Sequence, residues 1–312
     1  MLLRGKKIII TGGAGFIGSN LARSLCYEND VVILDNLSTG EYSNVMDIMN
    51  DVTFIQEDIT NLEALRRSFE GGDYVLHQAA LPSVQRSVDD PITSNKNNVD
   101  GTLNVLVASR DCGVKRVVFA SSSSIYGDDP ALPKVETFQP NPQSPYAVTK
   151  LAGEYYCKVF HDIYGLETFS LRYFNVFGPG QSPESQYAAV VPKFVKAIKS
   201  GQRPYGDGEQ SLDFTYVENV VMANVLACEA PRAAGEAINI GSGERVTLNR
   251  LLDDLREILQ SEIEPIYADP RTGDVRYSLA DISRAKELLG CEPRYSLRKG
   301  LEKMLSDGSL SS

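Results

Sequence analysis

The amino-acid sequence predicts an α/β fold: a doubly wound parallel sheet followed by a smaller α/β part towards the C-terminus. Short apolar runs alternate with longer helical patterns through the first half of the chain, the signature of parallel strands joined by crossover helices. A glycine-rich turn stands between the first run and the first helical stretch. After Asn175 the alternation gives way to longer, less regular connections, which marks the second part.

The first strand is expected at residues 7–11 and the first helix at 16–28. Strands follow at 31–35 and 52–57. Thr60-Asn61-Leu62-Glu63 then reads as a capping-box start for a short helix, with Thr60 as the cap. Strands at 74–77 and 117–120 flank a helical segment around 99–110. Pro145 suits the first turn of a helix that continues to about Tyr164. A sixth strand spans about 168–174. Further on, 191–200 and 248–260 are amphipathic helices, and 217–230 with 237–240 are a last helix and strand that rejoin the main sheet. There is no internal repeat, and only the polar tail 306–312 is of low complexity.

A chain of 312 residues has room for a large domain and a small one. With 42% hydrophobic and 23% charged residues it has the composition of a soluble globular protein. A net charge of −10 argues against a broad nucleic-acid surface, though local geometry can still hold an anionic ligand. No apolar run approaches the ~20 residues of a membrane span, and Met1 to Lys7 leads straight into a strand with no room for a signal peptide. Cys26, Cys112, Cys157, Cys228 and Cys291 are odd in number, scattered and free of any Cys-x-x-Cys. Reduced, mostly buried thiols in a cytoplasmic protein without a zinc site are expected. His77 and His161 are the only histidines, too few to favour a histidine-based hydrolase or metal centre.

Gly12-Gly13-Ala14-Gly15-Phe16-Ile17-Gly18 is a Gly-x-x-Gly-x-x-Gly between strand and helix. Gly12 allows a tight turn, Gly15 lets backbone approach a pyrophosphate, and Gly18 lets the helix pack closely on the strand. The helix start adds N–H donors and a partial positive charge. Asp35 ends the second strand, where its carboxylate can accept both ribose hydroxyls and repel a 2′-phosphate, so NAD is expected rather than NADP. These features define a Rossmann-type dinucleotide site. The NAD-binding domain is expected at 1–175 plus 213–241, and the substrate-binding domain at 176–212 plus 242–312.

The chemistry is expected between Ala120 and Lys150. Ser121 to Ser124 sit at a strand's end, and Tyr146 and Lys150 lie four apart on one helical face. A nearby ammonium favours the phenolate, which would lower tyrosine's pKa from ~10 and make Tyr146 a general base. Serine hydroxyls reaching Tyr146 would complete a proton relay. A tyrosine–lysine pair at this spacing is by itself compatible with a solvated helix face; the serines and the nucleotide motif beside it favour catalysis.

With the glycines, Asp35, Ser122, Tyr146 and Lys150 in place, the chain resembles the extended short-chain dehydrogenase/reductases, and more closely the nucleotide-sugar 4-epimerases. The likeness runs over nearly the whole length, through residues 11–18, 34–40, 77–80, 121–127, 144–150, 171–178 and 273–282. It implies Ser122, Tyr146 and Lys150 as catalytic residues. Phe16 and Ile17 would touch the pyrophosphate, with Asp35, Asn36, Ser38 and Gly40 around the adenosine ribose and Asp58 and Ile59 flanking adenine. Gln78, Ala79 and Ala80 would line the cofactor, Asn98 would sit behind the site, and Tyr146, Lys150, Tyr173 and Val176 would hold the nicotinamide half. For the substrate the resemblance implies Ser83, Ser122, Ser123, Ser124, Tyr146 and Asn175 towards the sugar and diphosphate. Ala189, Val190, Lys193 and Tyr205 would face the uridine, Arg271 and Asp274 the diphosphate and ribose, and Ser278 the sugar's C2 substituent.

The implied activity is an NAD-dependent UDP-hexose 4-epimerase working through a 4-keto intermediate. Related 4,6-dehydratases and decarboxylases carry carboxylates after the hydroxyl residue, where this chain has Ser123 and Ser124. A small Ser278 in the gatekeeper position, with Leu132-Pro133-Lys134-Val135-Glu136, resembles members that accept UDP-N-acetylglucosamine and its galacto epimer. An enzyme restricted to UDP-glucose and UDP-galactose, or a UDP-glucuronate 4-epimerase, is the alternative; an NAD-sensing protein without turnover is the reading from another class. A homodimer is implied, with helices near 99–110 and 146–164 forming a four-helix bundle. One departure stands out: Ser211-Leu212-Asp213-Phe214 has leucine where the family places a diphosphate-clamping arginine, and Arg203 is the basic residue nearby that could compensate.

Overall fold

The computed structural model describes residues 3–181, 190–206, 208–231, 234–267 and 276–306. The first half runs β1 (Lys7–Thr11), α1 (Phe16–Leu25), β2 (Asp30–Asp35), β3 (Val52–Gln56), α2 (Leu62–Phe69) and β4 (Tyr74–His77). It continues with α3 (Val84–Asp89), α4 (Pro91–Asn95), α5 (Gly101–Asp111), β5 (Arg116–Ser122), α6 (Pro145–Tyr164) and β6 (Glu167–Tyr173). Then come β7 (Val176–Phe177), α7 (Val190–Lys199), β8 (Tyr205–Gly206), β9 (Ser211–Leu212), β10 (Thr215–Tyr216), α8 (Val217–Glu229) and β11 (Glu236–Ile240). The chain closes with β12 (Val246–Thr247), α9 (Leu248–Leu259), β13 (Ile266–Tyr267), α10 (Ser283–Leu289) and α11 (Leu297–Ser306).

Seven parallel strands pair in the order β11-β6-β5-β4-β1-β2-β3. Strands covered on both faces read as continuous apolar runs rather than alternations, which is why Ile8-Ile9-Ile10 and Val117-Val118-Phe119 announce themselves. Successive side chains still part company: Ile8, Ile10 and Val118 join Leu21, Val220 and Ile238 on one face. Ile9, Val117 and Phe119 join Leu65, Leu106 and Phe160 on the other. The strand order reverses between β1 and β4, the switch point where open α/β sheets take ligands.

Helix starts follow local chemistry. Ser144 accepts from Ala147 N and Pro145 opens α6, which ends at Gly165 in the left-handed conformation, φ 70°. The cap of α2 is Asn61 rather than the expected Thr60: Asn61 accepts from Ala64 N, while the Thr60 hydroxyl donates to Asp58 at 2.7 Å. The sequence pattern did not announce α3 and α4; they are short, capped by Ser83 and Asp90, and split by Pro91.

A further apolar cluster lies beyond the sheet, where Phe177, Leu212 and Tyr216 meet Val191, Phe194, Leu251, Leu255, Leu301 and Met304. Ala285, Leu289 and Cys291, late in the chain, pack instead with Ile238 and Ile240 on the main sheet. All five cysteines are free thiols, and all but Cys112 are buried. Among the described residues no helix is long and apolar enough to cross a membrane.

The contact of α6 on β5 depends on Gly153. A Cβ there would lie 2.4 Å from the Phe119 ring, which is buried beside His77 with ring centroids 5.6 Å apart. Gly153→Ala gains helix propensity of about 1 kcal/mol but overpacks a fixed ring at about 1–3 kcal/mol. Urea denaturation should show net destabilisation; a variant as stable as the parent would mean the ring yields freely.

Candidate active site

The carboxyl ends of the strands assemble a cleft of about 480 Å³. Gly12 turns the chain at φ 69°, and a Cβ there would sit 2.7 Å from the Ala79 backbone. A Cβ on Gly18 would reach 2.1 Å from the Gly12 carbonyl, so helix and strand touch because side chains are missing. Gly15 caps α1 without a side-chain bond, which leaves the first-turn N–H groups directed at the cleft for an anion. Asp35 is buried; its Oδ2 accepts from Ala14 N at 3.0 Å and its Oδ1 from Leu37 N at 2.8 Å. Burial raises its pKa and those N–H bonds lower it; remaining lone pairs face the cleft, as a ribose needs.

Gly12, Gly15, Phe16, Ile17, Asp35, Asn36, Ser38, Ile59, Gln78, Ala79, Ala80, Tyr146, Lys150 and Tyr173 all line this cleft, as expected for a dinucleotide site, and so does Ser83, which was expected to face the substrate. The remaining expected cofactor residues stand behind the wall. Asp58 accepts from Asn36 Nδ2 at 2.7 Å and so orients it. Gly40 packs on Asp35, where a Cβ would lie 2.9 Å from Oδ2. Asn98 ties Leu81 to the start of α6, donating to Leu81 O and Thr149 Oγ1 at 3.1 Å each. Val176 sits in β7 and packs against the apolar clusters rather than the cleft. Tyr173 is held by Asn224 Nδ2 at 2.9 Å and Gln78 Nε2 at 3.3 Å, and burial pushes its phenol up to about 12. Arg86, Ser121 and Gln181 also line the cleft without having been expected; Ser121 could have been inferred from its place beside Ser122, the other two lie where no pattern speaks.

Tyr146 and Lys150 meet the end of β5. Lys150 Nζ donates to Ala120 O at 2.7 Å and lies 5.8 Å from the centre of the Tyr146 ring. Burial lowers the lysine to about 8. Burial also raises the Tyr146 phenol, while the Ser122 hydroxyl pulls it down. Burial of the phenol thus opposes the lysine-driven depression expected from the sequence, while the Lys150 ammonium, one of its three N–H donors held by Ala120 O, stands beside the ring. His77 lies beneath, between Thr11 Oγ1 at 2.7 Å and Thr102 Oγ1 at 3.0 Å, and burial beside Lys150 takes it down to about 3. It is a neutral structural residue.

Of the residues expected to face the substrate, Asn175 stands at φ 31°, donating to Asp213 O at 2.9 Å and to Ser278 Oγ at 3.5 Å. Ser278 is buried and its N–H is bonded to Ser211 O at 3.0 Å. Ser123 and Ser124 form a tight turn after β5, and the Ser124 hydroxyl is buried without a protein partner. Val190 and Lys193 lie on α7, and Tyr205 on β8 beside Ile266. Ala189, Arg271 and Asp274 lie outside the described residues. Leu212 is buried in the apolar cluster, and Asp213 is fully buried, accepting from Ser242, Gly243 and Ala280. Arg203 does not replace the lost guanidinium: it is spent on the Glu264 and Pro265 carbonyls at 3.0 and 2.8 Å.

Residues 8–241 match the model of the NAD dependent epimerase/dehydratase family. The chain belongs to that family. Among solved structures, this epimerase-family chain is 41% identical to the UDP-N-acetylglucosamine 4-epimerase of Methanobrevibacter ruminantium M1 in complex with UDP-N-acetylmuramic acid (TM-score 0.93; 97% and 98% of the two chains covered). It is 40% identical to the UDP-glucose 4-epimerase of Thermotoga maritima with UDP-glucose (TM-score 0.91; 96% and 97% covered). A UDP-glucuronate 4-epimerase of Thermodesulfobacterium geofontis is 34% identical over 96% of this chain and 94% of its own. These matches agree with the resemblance read from the motifs and with the doubly wound fold. The enzyme is an NAD-using isomerase, and its glycine loop, Asp35 and cleft fit that cofactor.

Lys150 titrates below unfolded lysine, whose pKa is ~10.4. Between about pH 8 and that value the unfolded chain binds more protons, so stability rises with pH there. Lys150→Met should flatten this rise when urea unfolding is compared at the two ends of the window. Parallel curves for parent and variant would show that the buried amine is not the cause.

Proposed function

We propose that this epimerase interconverts UDP-N-acetylglucosamine and UDP-N-acetylgalactosamine, with UDP-glucose and UDP-galactose as further substrates. One observation supports the choice of sugar: Ser278, which the resemblance sets at the gatekeeper position, is small and buried and lies 3.5 Å from Asn175. Just past the end of β5, the Ser124 hydroxyl is buried with no protein partner. UDP-glucuronate is the second reading, favoured by the relative named for that substrate.

NAD, when bound, supplies the hydride acceptor and donor. Tyr146 takes the proton of the sugar 4-hydroxyl, directly or through Ser122, and returns it after the 4-ketose has turned in the cleft. Lys150, fixed to Ala120 O, keeps a positive charge beside the phenol while pH stays below about 8.

The exposed face of α6 supports the homodimer that the resemblance implies. One face carries Tyr146, Lys150 and Glu154 inward; the other exposes Val148, Tyr155, Val159 and Ile163, the last 68% accessible. Val88 and Ile92 extend this apolar stripe onto α3 and α4, which pack beside α6. A second copy of the chain is the occupant we assign. Sedimentation should give a dimer that Ile163→Asp converts to monomer; a parent protein that sediments as a monomer removes the assignment.

Proton NMR of UDP-N-acetylglucosamine with purified enzyme and no added cofactor should show the galacto anomeric signal appear. Tyr146→Phe should slow it by roughly 10²–10⁴-fold. Conversion of UDP-glucuronate alone would move the assignment to the second reading. Ser278→Tyr should abolish turnover of the N-acetyl sugars and spare UDP-glucose; equal losses on both would remove Ser278 as the gatekeeper.

A further inference from the structure

The reaction as read above uses Tyr146, Lys150 and Ser122 and leaves a charged pair directly behind them without a role. The side chains of Glu154 and Arg172 are each 6% exposed. Arg172 grips the carboxylate with two parallel bonds, Nε to Oε1 at 2.9 Å and Nη2 to Oε2 at 2.8 Å. Its other arm, Nη1, donates to Tyr126 Oη at 2.8 Å and to Glu136 O at 3.3 Å. Tyr126 Oη donates in turn to Asn239 Oδ1 at 2.7 Å. The Ser121 hydroxyl donates to Glu154 Oε1 from the other side. Burying two charges costs several kcal/mol per ion before pairing, and well-packed apolar replacements are often as stable. Stability alone is therefore a weak account of this pair.

Geometry gives a better one. Tyr146, Lys150 and Glu154 are spaced by four and form one stripe of α6. Two successive residues of β5 engage that stripe, Ala120 O taking Lys150 and the Ser121 hydroxyl meeting Glu154. Ser122 ends the strand beside them; its hydroxyl accepts from Ser124 N at 3.1 Å and lowers the Tyr146 phenol. The bond at Lys150 ends a flexible chain and the one at Tyr146 must change during the reaction. The planar, two-bonded contact at Glu154 is the stiff one. Arg172 extends it to β6, where it stands opposite Ser121 while Tyr173 stands opposite Ser122.

We propose that Glu154 and Arg172 are positioning residues for the reaction: their pairing fixes the register of α6 against the ends of β5 and β6, and thereby the approach of Ser122 to Tyr146. This rests on the reading of Tyr146 as the acid–base group. Misplacement of a reacting group by about 1 Å can cost on the order of 10²-fold in rate.

The test uses the NAD-loaded enzyme carrying Arg172→Lys, which keeps the charge and loses the fork, and Glu154→Asp, which keeps the pair and shortens its reach. In variants that retain NAD and a parental circular dichroism spectrum, kcat should fall roughly 10- to 100-fold with KM unchanged. A parental kcat in either such variant overturns the proposal, as does loss of kcat only in step with loss of NAD and melting temperature. A second readout needs no turnover. The absorbance titration of the Tyr146 phenol, parent minus Tyr146→Phe, should move to higher pH in Arg172→Lys as the Ser122 contact weakens. An unmoved titration counts against positioning even if the parent acts on none of the sugars tried, an outcome that would instead remove the substrate reading.

Discussion

Parallel pairing of all seven strands is the constraint from which the rest follows. Strands that run one way bring their carboxyl ends to one edge, and there Thr11, Asp35, His77, Ser122 and Tyr173 come together from positions spread over more than half the chain. Parallel strands also need crossover helices, which cover both faces and force the central strands to be apolar throughout. The glycine loop answers the remaining problem, of placing a helix start and a strand end closer than side chains permit.

Much of this was legible in the sequence because it depends on local pattern. Apolar runs covered on both faces, glycines at fixed spacing, and a proline opening a helix each carry a signal within a few residues. The expected extent of α6, from Pro145 to about Tyr164, agrees with the helix observed, whose ends Ser144 and Gly165 cap. What was not legible depends on contacts distant in sequence. Residues 84–95 are too polar and too broken by Pro91 to show a period, so α3 and α4, and with them Arg86 in the cleft, passed unseen. Thr60 lost the cap to Asn61 because Asp58 claims its hydroxyl. Val176 is paired through β7 to β10 and packs on the apolar cluster, a contact distant in sequence that no local pattern announces.

The same distinction holds for charge. Spacing places Tyr146 beside Lys150, but only the three-dimensional surroundings decide that burial raises the phenol and that the ammonium goes to a main-chain oxygen. Asp213 shows the reverse case: next to a position where a phosphate clamp was expected, it is a structural carboxylate holding Ser242, Gly243 and Ala280. The buried carboxylates of Asp213 and Glu154 are thus each met by several N–H, hydroxyl or guanidinium groups.

The apolar cluster around Phe177 and Leu212 has a consequence for the order in which the molecule is made. It is completed by Leu301 and Met304 of α11, whereas six of the seven main strands are already present by Tyr173. During synthesis the main sheet has most of its strands while this second cluster still lacks its last wall. The growing chain therefore has a dinucleotide platform on which to organise well before the second cluster can close.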